Sequence, residues 1–179
     1  QVGTILLGVL AVATEYQGSQ VRTTLMATPN RALVLAGKTL AYLATATVTS
    51  VVAVGAGLAT AAVTLTIGNA TPIEDVNAWP VAGAALYLAL IGFLGLALAG
   101  LLRSLIPPLV AMLTLVLIVS PLLAASTEHA RWLPDKAGSL LYLPDADPVL
   151  TAGTGALVLL AWITLTVIAA ATAFVNRDA

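Results

Sequence analysis

The chain contains no cysteine and a single histidine, His129, among 179 residues. Disulfides, thiolate metal sites and a cysteine nucleophile are therefore excluded, and one chain cannot assemble a multi-histidine metal site. Charge is scarce as well: 8% of residues are Asp, Glu, Lys or Arg, against about a quarter in a soluble domain. So few charges cannot clothe a globular surface in water. The formal net charge of −1 offers no polybasic arm, so nucleic acid is not an expected partner. Charged residues are missing altogether from the long apolar segments, whereas proton- or ion-coupled carriers usually bury one as relay or binding group. Driving energy for any transport is then expected from outside the membrane.

What is present is apolar: 60% of residues are hydrophobic and the mean hydropathy is +1.03. The bilayer is the natural solvent, and the fold class expected is an all-α integral membrane protein. A spanning helix needs about 20 apolar residues, which places spans at 39–66, 81–102, 109–125 and 150–175 within a single transmembrane domain, 1–179. The run 3–13 is too short to span and lacks the basic front and small-residue cleavage site of a signal peptide. It reads as the end of a truncated helix. Pro121 is expected to kink the third span near its outer end.

Between the short run and the first span lies the one dense polar stretch, Thr14–Lys38. Gly18 and Ser19 favour a turn, and Thr28-Pro29-Asn30 reads as a helix stop and restart. Val21, Leu25 and Met26 recur at helical spacing among Arg22, Thr23 and Thr24, as in a short helix lying at a membrane interface. Lys38 is placed to snorkel at the start of the span. If this side is cytoplasmic, Arg22, Arg31, Lys38, Arg103 and Arg177 lie inside and only Arg131 and Lys136 outside. Such a bias in short loops is the positive-inside pattern, so the stretch and the C-terminus are expected to be cytoplasmic. Segment 126–148 holds four acids, Glu128, Asp135, Asp145 and Asp147, yet also Trp132, Leu140, Leu141 and Tyr142. That mixture suits short extracellular helices re-entering the interface better than a solvated loop.

Several patterns have plainer readings. Ala32–Thr39 fits a loose phosphate-loop pattern, but the strand–loop–helix context that motif requires is absent. Thr45/Thr49 and Thr60/Thr64 stack at i, i+4 and could line a translocation path, although helix–helix packing is the commoner use of such residues. Gly92, Gly95 and Ala99 invite a tight helix contact or a dimer face. Glu128 and His129 read as a solvated pair, as do Asp145 and Asp147. Asn69-Ala70-Thr71 matches a glycosylation acceptor only in a eukaryotic secretory setting. No catalytic set can be completed.

The block Glu15-Tyr16-Gln17-Gly18, then Arg22-Thr23-Thr24-Leu25, Thr28-Pro29-x-Arg31 and Lys38 resembles the signature of type-2 ABC transporter permeases. Ala85–Gly92, Ala99–Ser104, Leu133-Pro134 with Ala137-Gly138, and Phe174 with Arg177-Asp178 add weaker matches, most like the small alanine-rich permeases of actinobacteria. The resemblance implies six transmembrane helices, about five of them present here, with re-entrant helices before the last. It implies a bacterial cell-membrane location and a dimer with a second permease copy or a homologous permease, in contact with membrane lipid. It also implies two separate ABC ATPase subunits that bind ATP and Mg, leaving this chain without a cofactor of its own. Residues 14–31 would dock on the ATPase, with Glu15, Tyr16, Gln17, Gly18, Thr23, Thr24, Thr28 and Pro29 at the joint. Arg22 and Arg31 would meet acidic ATPase or lipid groups while Lys38 fixes depth. Gln17 and Ser19 depart from the usual basic residue and Thr. The function implied is ATP-driven export of a hydrophobic or amphipathic compound by alternating access. Its rivals are a non-transporting membrane anchor and an ion-coupled carrier.

Overall fold

A helix that is apolar all round belongs in an interior or a membrane, and Ala78–Leu102 is such a sequence, with no charge in 25 residues. In the computed structural model, which describes residues 1–17, 31–67 and 78–177, this helix is the hub. We number the α-helices α1 (Val2–Gln17), α2 (Arg31–Ile67), α3 (Ala78–Leu102), α4 (Ile106–Thr114), α5 (Ser120–Ser126), α6 (Pro134–Ser139) and α7 (Ala152–Arg177). A π turn, Leu115–Val119, joins α4 to α5, and a 3-10 turn, Glu128–Trp132, precedes α6. No strand occurs among the described residues. Helices α1, α2, α4, α6 and α7 all pack on α3.

Four stretches are long and apolar enough to cross a membrane: Thr39–Ile67, Ala78–Leu102, Ile106–Ser126 and Ala152–Ala173. They match the expected spans to within a few residues at each end. The short run 3–13 is helical too, and α1 continues four residues past it to Gln17. Helix α2 begins at Arg31, directly after Thr28-Pro29-Asn30, and its 37 residues extend about 55 Å at 1.5 Å per residue. That exceeds a hydrocarbon core of about 30 Å.

Lipid tails are as apolar as leucine, so helices in a bilayer associate through close packing rather than through water release. This chain does so with glycine. A Cβ on Gly8 of α1 would collide with the Gly92 carbonyl of α3, and one on Gly92 would lie 2.6 Å from the Thr4 carbonyl. Of the two uses open to Gly92, Gly95 and Ala99, the structure has the contact within the chain: Gly95 faces Ile5 and Val9, and Ala99 is buried. The core around this contact comprises Ile5, Val9, Ala13, Ile91, Leu94, Met112 and Val116. Helix α2 lies against the other flank through Tyr42 and Ala46, packed on Ala89 and Phe93. The rest of α2 presents Leu40, Val48, Val51, Val52, Val63 and Ile67 outward.

At Pro121, where a kink is expected, the third span carries a π turn. A proline inside a helix removes a donor and pushes its ring into the carbonyl four residues back. The π turn just before it widens the helix there, and the Ser120 N–H bonds to the Leu115 carbonyl, five residues back. Arg103 ends α3 in the left-handed conformation, φ 49°, with its N–H on the Ala99 carbonyl at 2.8 Å. That is the αL way of closing a helix, here without glycine. It reverses the chain within three residues, making α3 and α4 the antiparallel neighbours that the short link predicts.

Candidate functional site

Contacts along the hub sort the chain's polar groups to two ends. Tyr42 meets Phe93 and Ala46 meets Ala89, so α2 runs antiparallel to α3. Gly138 touches Leu159 and Tyr87, while Gly100 faces Ala170, so α7 runs parallel to α3. The start of α2 with Arg31 and Lys38, the α3 terminus with Arg103, and the α7 terminus with Arg177 therefore share one end. Arg131 and Lys136 are at the other, with Glu128, Asp135, Asp145 and Asp147.

At the Arg103 end, Glu15, Tyr16 and Gln17 form the last turn of α1, and Arg31 and Lys38 lie in the first two turns of α2. Gly18, Arg22, Thr23, Thr24, Thr28 and Pro29 fall outside the described residues. The stretch thus leaves from one helix of the hub and returns to another. The candidate path residues Thr45, Thr49, Thr60 and Thr64 all lie on α2, and their hydroxyls bond back to carbonyls of the same helix. Thr49 donates to Thr45 at 2.7 Å and Thr60 to Ala56 at 2.8 Å; Thr45 reaches Ala41 and Tyr42, and Thr64 reaches Ala61. None donates to another helix of the chain among the described residues.

The opposite end is a built polar structure. Thr151 starts α7 as a reciprocal cap: its N–H bonds to Thr154 Oγ1 at 2.8 Å, and the Thr154 N–H returns to Thr151 Oγ1 at 3.4 Å. Just before it, Asp147 Oδ1 accepts the N–H groups of Val149 and Leu150 at 2.8 and 2.9 Å. Those two bonds hold its carboxyl below the usual carboxylate range, with Arg131 adding attraction. Arg131 spans the segment, with Nη2 3.1 Å from Glu128 and Nη1 3.8 Å from Asp147. The Trp162 indole N–H donates to the Trp132 carbonyl at 3.0 Å, which ties the 3-10 turn to the third turn of α7.

Helix α6 is wedged between α3 and α7 by glycine. A Cβ on Gly83 would strike the Leu141 carbonyl, one on Gly155 the Ala137 carbonyl, and one on Gly138 would lie 2.8 Å from the Tyr87 ring. Tyr87 lies nine residues into α3 and Leu159 seven into α7. At 1.5 Å per residue, α6 therefore sits roughly 10 Å below the ends of both helices. It is no solvated loop.

The structure also reveals a pair that sequence reading passed over. Ser120, fully buried beside the π turn, donates a hydrogen bond to Asp135 Oδ1, and Asp135 is only 6% exposed. No ion pair to Asp135 occurs among the described residues. Burial raises its carboxyl above the usual range, opposed only in part by the Ser120 bond, by the Lys136 charge and by the backbone N–H groups of Asp135 and Lys136. The phenol of Tyr142 is likewise raised, by burial first and then by Asp135. In sequence Asp135 is one acid of four in a mixed segment; the preceding Leu133-Pro134, which closes a turn and opens α6, was the available signal. Among the described residues no cluster of three potential metal ligands forms. Comparison with protein-family models, with curated proteins and with solved structures finds no match to this chain.

Proposed function

We propose that this chain is the membrane-spanning permease subunit of an ATP-driven exporter, working by alternating access with a separate ATPase. Its substrate is a hydrophobic or amphipathic compound. The observation that carries the reading is the Thr14–Lys38 block, whose Glu15-Tyr16-x-Gly18, Pro29-x-Arg31 and Lys38 resemble the ATPase-facing signature of such permeases. The fold supports it in one respect: the block joins α1 and α2, and both rest on α3 through contacts with no slack at Gly8, Gly92 and Tyr42. A push on the block would be delivered to the hub as displacement of packed helices, because close-packed interfaces shift between discrete arrangements rather than deforming smoothly. The positive residues gathered with the block at one end support a cytoplasmic placement for it. The apolar spans carry no charge, which leaves the energy source outside this chain.

The test is transport by the complex at matched membrane levels of the chain. Glu15→Ala and Arg22→Glu abolish or strongly reduce export while insertion is unchanged. Full transport in both variants contradicts the proposal. Substrate-stimulated ATP hydrolysis by the complex separates a permease from a membrane anchor, which gives no stimulation.

A further inference from the structure

At the polar end of the molecule the buried Ser120–Asp135 pair has no part in the export scheme. The geometry points to a proton-binding latch, in which neutral Asp135 clamps α6 to the π turn and loss of its proton releases the segment 128–142 from the helix bundle. This inference stands whether or not the chain exports anything.

Four observations carry it. Asp135 is buried with one side-chain partner, the Ser120 hydroxyl, itself fully enclosed. A buried carboxylate without an ion pair costs several kcal/mol, and such groups usually stay neutral instead. The partner sits beside the π turn that accommodates Pro121, so Ser120 is aimed at Asp135 by a local feature of the helix. Single-turn π elements of this kind often mark functional positions. Finally, the segment clamped also meets α3 and α7 closely at Gly138 and Gly155, so the Ser120–Asp135 bond adds to a docked interface.

The groups facing Asp135 do not replace the proton. Tyr87 comes from α3 and Tyr142 from the turn after α6, their rings 5.4 Å apart. Both are phenols that carry no positive charge, and burial holds the Tyr142 phenol more firmly protonated. Lys136 is the adjacent residue of α6 and offsets part of the burial. The spans 106–126 and 152–173 carry no titratable side chain. In the 3-10 turn Glu128 and Arg131 bond to each other, and His129 completes its titratable set. On release, the Asp135 O–H bond breaks and the proton passes to entering water, leaving a carboxylate that has Ser120 and the backbone N–H groups of Asp135 and Lys136 as donors but no ion pair. Hydration of the remaining carboxylate then favours the undocked segment.

The sign follows from proton linkage. The docked state binds the proton more tightly than the released state, so docking is complete at low pH and weakens as pH rises from the ordinary carboxylate range to the raised value.

The chain has no native cysteine, so a single engineered thiol reports release. Leu140→Cys places a thiol at a site 3% exposed, and Ser126→Cys provides an exposed reference. The full chain in lipid nanodiscs is labelled with a membrane-impermeant maleimide across pH 4 to 9 (roughly the span between carboxylate and thiol pKa values). Labelling of Leu140→Cys relative to Ser126→Cys is expected to rise about tenfold per pH unit before levelling, as release of one proton per opening requires. Adding Asp135→Asn, neutral at every pH, keeps labelling low and flat. If Leu140→Cys does not fold, Ala130→Cys, 4% exposed, takes its place. The infrared carbonyl band of a protonated acid, lost in Asp135→Asn, gives a second readout. A flat pH response in the Asp135 protein, or the same rise in Asp135→Asn, or no such band below the labelling midpoint, overturns the latch.

Discussion

Replacing Gly8 by alanine tests whether the α1–α3 contact holds the bundle together. Alanine favours an ordinary helix interior by about 1 kcal/mol over glycine. Gly57, in the same kind of helical setting on α2 with nothing within 4 Å of an added methyl, should show that gain. At Gly8 the same methyl meets the Gly92 carbonyl oxygen below any tolerable separation, with the Leu96 nitrogen 3.2 Å away. Backbone atoms cannot rotate aside, and an ordinary C···O approach is about 3.3–3.6 Å. The helices must therefore part by more than about 1 Å, and even a gap of about 1 Å forfeits roughly a quarter to a half of each affected dispersion contact. Overpacking of this kind typically costs about 1–3 kcal/mol. Gly57→Ala should then be neutral to stabilising, and Gly8→Ala destabilising by about 0–2 kcal/mol after the propensity gain is subtracted, which leaves it about 1–3 kcal/mol below Gly57→Ala. The assay is reversible unfolding by denaturing detergent in mixed micelles, followed by circular dichroism. Equal effects of the two substitutions would refute the packing argument.

Ser120→Ala leaves the Asp135 carboxyl buried without its partner and should cost about 1–3 kcal/mol in the same assay, whereas Ser126→Ala, exposed and bonded within its own helix, should cost almost nothing. Stability of the native chain should fall as pH rises above the usual carboxylate range, because folded Asp135 holds its proton more tightly than the unfolded chain does. That slope should flatten in Asp135→Asn, as melting curves at a series of pH values will register. Asp147 has the opposite sign: its lowered carboxyl stabilises above the usual range and is lost as pH falls through the folded value, so Asp147→Asn should remove an acid-side loss of stability. Trp162→Phe deletes the donor to the Trp132 carbonyl and should cost about 1 kcal/mol and increase amide exchange in 128–132.

Much of the frame was legible because a bilayer imposes long uncharged runs, and such runs can be counted in a sequence. Boundaries were less legible where a side chain sets them, as at Thr151 and Thr154, whose cap moves the start of α7 from the expected 150 to Ala152. Proline chemistry points to a disturbance at Pro121 but not to its form, since a π turn and a simple kink both accommodate the missing N–H and the bulk of the ring. Residues 14 to 38 were the most informative in sequence, yet Gly18–Asn30 lie outside the described structure, so the proposed coupling rests on their chemistry. The Ser120–Asp135 pair was hidden for a different reason. Fifteen residues separate the partners, and only the wedge of Gly83, Gly138 and Gly155 carries them to one point. Composition gives Asp135 no partner among the four acids of its segment; tertiary packing places it inside against Ser120.

A permease driven by a separate ATPase must hold that ATPase in the membrane. The decisive step is to purify the tagged full-length protein from its native membrane in a mild detergent and identify its stoichiometric partners by mass spectrometry. An ATPase subunit with a phosphate-binding loop is expected in equal ratio to the chain, and it should be lost when Glu15 and Arg22 are substituted together. Recovery of the chain without any ATPase, or with an ATPase whose retention ignores both substitutions, would contradict the proposed function.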